Sequence, residues 1–270
     1  MVADDRVDAV TFTGSTGVGH AIHRQVGPHR RVQLEMGGKN PTVVLRDADI
    51  EMAAATVVKG AFGLSGQACT GTSRLIVVDE IHDDLVSAVL TRIEGIVVGD
   101  GRDPGVTMGP LASAAQLRKY HEYVASGVAE GAVLRTATSD FDGRGGYFAR
   151  PAVFTETTPD MRIVREEIFG PVLAVQRARD HVQAIELANA TAFGMSAAVV
   201  TRDLQRAMEF AAESRTGLVK INQPTTGMAM NAPFGGYKAS STQTFKEQAG
   251  PSMMQFYQSE KTVYLTTPDD

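Results

Sequence analysis

Tryptophan is absent from this chain, and cysteine occurs once, at position 69. A single cysteine cannot close an internal disulfide and cannot build a cysteine-rich zinc site. Long apolar runs are also missing. Stretches such as Leu75–Val78 are far shorter than the roughly 20 residues needed to span a bilayer. The opening MVADDRVD is acidic and polar, which excludes a secretory signal at this end. Positive charge is in deficit: 26 Lys and Arg against 31 Asp and Glu give a net −5, with no basic run to attract nucleic acid. The expectation is a cytoplasmic protein in a reducing setting, with neither nucleic acid nor membrane as partner and no metal.

The 270 residues amount to one large domain or two modest ones. Composition is that of an ordinary globular protein, 43 % hydrophobic and 21 % charged. Glycine, at 27 residues, gathers at positions 14/17/19, 37/38, 143/145/146 and 235/236, where the backbone must turn sharply or approach something closely.

Periodicity predicts strands at Val7–Thr13, Val32–Met36 (half-buried by its alternation), Thr42–Leu45, Arg74–Val78, Pro171–Val175, Met195–Thr201 and Gly217–Asn222. Helical stripes fall on Val18/Ile22/Val26, Ile50–Ala61, Ile81–Ile93, Leu117–Val128, Val182–Ala190 and Leu204–Ala212, with Asp47 and Asp49 as candidate N-caps. Strands alternating with helices favour a parallel sheet covered on both faces. Gln255–Leu265 alternates without a following helix and reads as an edge strand or an arm that pairs with another chain. Only one strand–helix–strand fits before residue 37, so the chain reads as beginning partway through a dinucleotide-binding domain.

Cys69, in Gly66-Gln67-Ala68-Cys69-Thr70, sits where a helix gives way to a strand. It reads either as an accessible thiol made reactive by a helix terminus or as a small buried hydrophobe. Glu35, at a strand end before Gly37-Gly38, is a candidate general base or a solvated strand residue. Gly14-Ser15-Thr16-Gly17-Val18-Gly19 follows a strand and opens a helix, where backbone N–H groups attract phosphate, yet its G-x-x-G-x-G spacing is not the dinucleotide fingerprint. Glu166-Glu167-Ile168-Phe169-Gly170-Pro171 and Pro233-Phe234-Gly235-Gly236 line a cleft or form loops. His20 and His23 share a helix face without a third ligand nearby, which favours solvation over metal binding.

Five motifs in one order resemble the aldehyde dehydrogenase superfamily: Phe12-Thr13-Gly14-Ser15, Leu34-Glu35-Met36-Gly37-Gly38-Lys39, Gly66-Gln67-Ala68-Cys69, Glu166 to Pro171, and Pro233 to Lys238. The 34 residues from Glu35 to Cys69 match the family's base-to-nucleophile step. The resemblance spans about residues 7–265 and covers the C-terminal, catalytic half of a family member. It implies a catalytic domain at 37–249, preceded at 1–36 by a remnant of a Rossmann-type cofactor domain and followed at 250–270 by an oligomerisation arm. It implies that Cys69 is the nucleophile, its own N–H an oxyanion donor, and Glu35 the base for thioester hydrolysis. Glu167 would hold the nicotinamide ribose beside Phe169, and Gly14 and Ser15 would turn against the pyrophosphate of NAD or NADP. The tail from Pro233 through Glu247-Gln248 to Tyr257 is loosely similar to members that oxidise semialdehydes such as 2-oxoglutarate semialdehyde.

The family's N-terminal stretch carries most of the cofactor sheet, an asparagine that is the second oxyanion donor, and a lysine on the adenosine ribose. None of these has a counterpart in this sequence. The expectation is therefore an aldehyde-oxidising enzyme of impaired turnover, homo-oligomeric or associated with a chain supplying the rest. Two competing readings are a cofactor-independent cysteine esterase and an inactive assembly subunit.

Overall fold

The computed structural model describes residues 1–138, 145–242, 249–251 and 253–267. In chain order the elements are β1 (Ala9–Thr13), α1 (Thr16–Val26), β2 (Arg31–Glu35), β3 (Asn40–Val44), α2 (Ile50–Phe62), β4 (Thr72–Val78), α3 (His82–Glu94), α4 (Ala114–Ala129), β5 (Val133–Leu134), β6 (Ala152–Thr155), α5 (Arg162–Arg165), β7 (Val172–Ala178), α6 (His181–Asn189), β8 (Phe193–Gly194), β9 (Ser196–Val200), α7 (Leu204–Glu213), β10 (Leu218–Ile221), β11 (Tyr237–Lys238) and α8 (Met253–Phe256).

Seven strands form the main sheet, in the order β10-β9-β3-β4-β7-β6-β5. Six run parallel; β5 pairs antiparallel with β6, so the expected parallel sheet is mixed at one edge. The pleat sorts its apolar residues onto two faces. On β4, Leu75 and Val77 join a core with α2 and α3, while Ile76 and Val78 join one with α6 and α7. A third core packs α4 and α5 over β6 through Tyr120, Phe154 and Ile163. β1 and β2 pair in parallel as a separate two-stranded sheet bridged by α1, one strand–helix–strand unit as expected.

Three local expectations are corrected. β2 is buried on both faces, because Ser241 bridges Glu35 and the Met36 N–H donates to Ser240 O at 2.8 Å. Of the two candidate caps, only Asp49 caps a helix, accepting the Met52 N–H; Asp47 instead ties the end of β3 to Thr201 and the Arg202 N–H. The alternating tail is not a strand among the described residues. It begins as α8, whose Phe256 is buried and whose Gln255 and Phe256 carbonyls are held by the Arg31 guanidinium at 2.9 and 3.1 Å. Beyond it Val263, Tyr264 and Leu265 stand in solvent without a neighbouring strand.

Leu75 is wholly buried in a strand with partners on both sides. Leu75→Ala is expected to cost about 2–5 kcal/mol of unfolding free energy in urea. A loss below about 1 kcal/mol would contradict a close-packed sheet centre.

Candidate active site

The loop carrying Cys69 leaves α2 through one 3₁₀ turn and enters β4. Leu64 and Ser65 take positive φ values of 53° and 57°, which Ser65 sustains by burial and by donating Oγ to Gly109 O at 2.8 Å. Gln67 Oε1 accepts the Ala112 N–H at 2.8 Å. Asn40 donates its amide to the carbonyls of Cys69 and Gly71, both at 2.8 Å. The half-buried thiol packs against Met195, Phe234 and Ala249.

Burial raises the Cys69 pKa above its ordinary range, and the negative charges of Glu167 and Glu35 raise it further; the Thr70 and Cys69 N–H groups pull the other way. A raised pKa runs against the sequence reading of a thiol made reactive by a helix terminus.

Glu35 ends β2, 1 % exposed. Its carboxylate accepts the Gly236 N–H at 3.2 Å and the Ser241 hydroxyl at 3.1 Å. It is therefore a buried, hydrogen-bonded group rather than a solvated strand residue. Ser240 completes the clamp, donating to Gly37 O at 2.6 Å and accepting the Gly194 N–H. Sequence reasoning placed Ser240 and Ser241 in the tail after Pro233–Lys238 but gave them no role at the site.

The two adjacent acids before β7 separate clearly. Glu166 is committed to Arg162 and to the Tyr123 hydroxyl. Glu167 turns inward, and its Oε1 accepts the Gly38 N–H at 3.0 Å. A Cβ on Gly37 would collide with the Glu167 carboxylate, and one on Gly38 with Cys69 O and the Asn40 amide. Gly38 is thus required by close approach to backbone, whereas at Gly37 a Cβ would displace the Glu167 carboxylate. Burial raises the Glu167 pKa, opposed by the Gly38 N–H, Lys119 and Lys39. Phe169 takes φ 57° and stays partly exposed, held by Gln116 Nε2 on the carbonyls of Ile168 and Phe169, both at 2.8 Å. Gln116 gave no sequence signal, since helix periodicity says nothing of one polar side chain aimed at a loop.

Glu167 Oε2 has no hydrogen-bond partner among the described residues, which fits an acceptor for a ribose hydroxyl beside the Phe169 ring. Gly14 has an internal reason to be glycine: its Cβ would strike the Phe12 ring, and its N–H donates to Glu35 O at 3.0 Å. Ser15 is the N-cap of α1 and makes no side-chain cap, so the open helix start at Ser15–Gly17 fits a phosphate better than Gly14 does. Glu247 and Gln248 lie outside the described residues.

The reactive groups share one place. Lys39, Cys69, Glu167 and Gly194 precede β3, β4, β7 and β9, while Gly14 and Glu35 lie at the ends of β1 and β2. The site therefore lies between the N-terminal edge of the large sheet and the C-terminal edge of the small one. The opposite edge, where α/β folds ordinarily bind ligands, holds a cavity of about 160 Å³ lined by Arg46, Glu80, His181 and Arg206.

Comparison with known proteins places this geometry in context. The model of the aldehyde dehydrogenase family matches residues 1–263. A 2,5-dioxopentanoate dehydrogenase of Saccharolobus solfataricus is 43 % identical over 98 % of this chain and 55 % of its own length. An alpha-ketoglutaric semialdehyde dehydrogenase of Bacillus subtilis is 41 % identical over 98 % and 55 %. The crystal structure of betaine aldehyde dehydrogenase from Staphylococcus aureus in complex with NAD+ superposes with a TM-score of 0.90 at 34 % identity, covering 95 % of this chain and 51 % of that one. The chain thus spans about half the length of the curated relatives it matches.

Lys39 gives the site a test independent of turnover. Its amino group is buried without a hydrogen-bond partner among the described residues, and burial together with the Arg74 charge pulls its pKa from 10.5 down to about 7, against the opposing pull of Glu167. Between these values the unfolded chain binds a proton that the folded chain lacks. Stability should therefore rise with pH across this window by about 1.4 kcal/mol per unit, and the rise should end below about pH 7 where the folded amine also protonates. Lys39→Met should abolish this component, so that its advantage over wild type shrinks as pH rises. Parallel urea-stability profiles for the two proteins would refute a buried, neutral Lys39.

Proposed function

The chain belongs to the aldehyde dehydrogenase family, and we propose that it carries the thiol chemistry of an NAD- or NADP-dependent oxidation of an aldehyde to a carboxylic acid. The observation that supports this most is the meeting of Cys69, Glu35 and Glu167 where the two sheets face each other, joined through Gly38, whose N–H donates to Glu167, and Asn40, whose amide holds the Cys69 carbonyl. The Cys69 sulfur loses its proton to a neighbouring base and adds to the aldehyde carbon. The resulting oxyanion is met by the Cys69 N–H. Nicotinamide, when bound, supplies the hydride acceptor, with Glu167 and Phe169 at its ribose end. An acyl thioester remains on Cys69. Glu35 then takes a proton from water as its oxygen attacks the thioester carbon. The C–S bond breaks, the acid leaves, and the proton returns to the sulfur.

The named relatives favour a 2-oxo acid bearing a terminal aldehyde as substrate. Residues 1–36 serve as the cofactor-side unit, 37–249 as the catalytic unit and 250–270 as an arm for self-association or for a chain carrying further cofactor contacts. The exposed Val263, Tyr264 and Leu265 support the arm. Hydrolysis of activated esters would use Cys69 and Glu35 without any nicotinamide.

The purified chain, titrated by calorimetry with NAD and NADP and then given 2,5-dioxopentanoate, is expected to form reduced nicotinamide. Cys69→Ala should abolish both this and nitrophenyl ester hydrolysis. Glu35→Gln should slow steady-state turnover by about 10²-fold or more, while Cys69 alkylates faster at neutral pH because a negative charge that raises its pKa is gone. Ester cleavage with no cofactor binding would favour the hydrolase; oxidation surviving in Cys69→Ala would sink the proposal.

A further inference from the structure

One buried side chain grips the peptide unit that follows the nucleophile. Asn40 opens β3 and is 2 % exposed. Its Nδ2 donates to Cys69 O and Gly71 O at 2.8 Å each, and its Oδ1 accepts the Ser196 N–H at 2.9 Å. All three bonds are made in the interior, so turning the amide over would set Oδ1 against two carbonyls and leave the Ser196 N–H facing a donor. Gly38 packs directly on the same amide and leaves it no room to swing.

A trans peptide is planar, and its C=O and N–H point in opposite directions. With the Cys69 carbonyl held on Asn40, the Thr70 N–H of the same plane must face away from Asn40. That N–H is one of the two backbone donors that favour the Cys69 thiolate, working against burial and two carboxylates. A free loop could flip this peptide and present a carbonyl to the sulfur instead.

We propose that Asn40 is a positioning residue for the nucleophile: it fixes the Cys69–Thr70 peptide plane so that an N–H, not a carbonyl, meets the sulfur. Asn40 touches neither substrate nor cofactor and acts through Cys69. The inference rests on the reading of Cys69 as nucleophile.

The same core supplies a control. Thr42, two residues further along β3, shares a buried hydroxyl chain with Thr72 at 3.1 Å, which continues to Thr225 at 2.8 Å. Thr42→Val loses a buried hydrogen bond while leaving the Asn40 bonds to the Cys69 loop in place. The test measures iodoacetamide alkylation of Cys69 by mass spectrometry from about pH 6 to 10 in the whole chain, which needs neither aldehyde nor cofactor. Asn40→Ala, folded by circular dichroism and cooperative melting, should alkylate about tenfold more slowly at neutral pH, with its midpoint moved up by about one unit. Asn40→Ser keeps one donor and should move the same way by less. Thr42→Val should melt earlier yet keep the wild-type profile. A folded Asn40→Ala with the wild-type midpoint, or a Thr42→Val shift of equal size, overturns the inference alone. A wild-type thiol inert to the reagent at every pH overturns the nucleophile reading as well.

Discussion

The reactive edge depends on backbone passing close to backbone at Gly37-Gly38. These residues link β2 to β3, so they join the small sheet to the large one. At Gly37 the chain passes against the Glu167 carboxylate, and at Gly38 against the Cys69 carbonyl and the Asn40 amide. At Gly38 a Cβ would meet backbone that cannot give way, and at Gly37 it would push the Glu167 carboxylate out of its place. Because the passage is so narrow, one short segment sets the Glu35, Cys69 and Glu167 elements together: Glu35 precedes Gly37 by two residues, Glu167 accepts the Gly38 N–H, and the Cys69 loop hangs from Asn40, the residue after Lys39. The relative position of the three groups is thus fixed by covalent geometry and hydrogen bonds rather than by long side chains.

The choice of sheet edge has an electrostatic consequence. In a parallel sheet the loops before strands follow helices, so this edge collects helix C-termini, while the N-termini with their Asp49, Asp180 and Asp203 caps gather at the far edge. Cys69 lies on this edge, away from the helix N-termini that would lower a cysteine pKa. The burial of Arg74 follows the same logic: its guanidinium, pulled down to about 9 by burial, sits on the last carbonyls of α6, and Lys238 Nζ takes the carbonyls of Asn189 and Thr191 beyond. Arg74 and Lys238 are thus engaged by helix ends, and Lys119, with Lys39 once it is protonated, pulls the Glu167 pKa down.

Most of the fold was legible because apolar periodicity is a local property. The helices α2, α3, α4, α6 and α7 and the central strands fell near their predicted spans. What failed was non-local. The burial of β2 required knowing that Ser240 and Ser241, some 200 residues later, would lie across it. Tail alternation suggested a strand, but its start is helical, with its last carbonyls held by the Arg31 guanidinium 224 and 225 residues away in sequence. At the site, Glu167 was separable from Glu166 only by motif, and the structure shows why: one side chain faces Gly38 and the other an arginine. Asn40 and Gln116 carried no pattern, since each acts on the backbone of a distant loop, and the serine pair stood in a noted tail that gave no hint of its bonds to Glu35 and Gly37.

A raised thiol pKa does not conflict with a nucleophilic role. Intrinsic thiolate nucleophilicity falls as the pKa falls, with a Brønsted slope of about 0.4–0.5. A thiol held above its ordinary range is scarce as thiolate but strong once deprotonated, provided that the proton has somewhere to go as the carbon is attacked. On the proposed function, the buried Glu35 carboxylate, fixed by Gly236 and Ser241, is the base and needs no reorganisation. The neutral thiol also resists oxidation, because the thiolate is the species that oxidants attack. The arrangement moves the demand from the ionisation of one sulfur to the placement of its neighbours, and that is why this edge is built from glycines and buried amides rather than from cations.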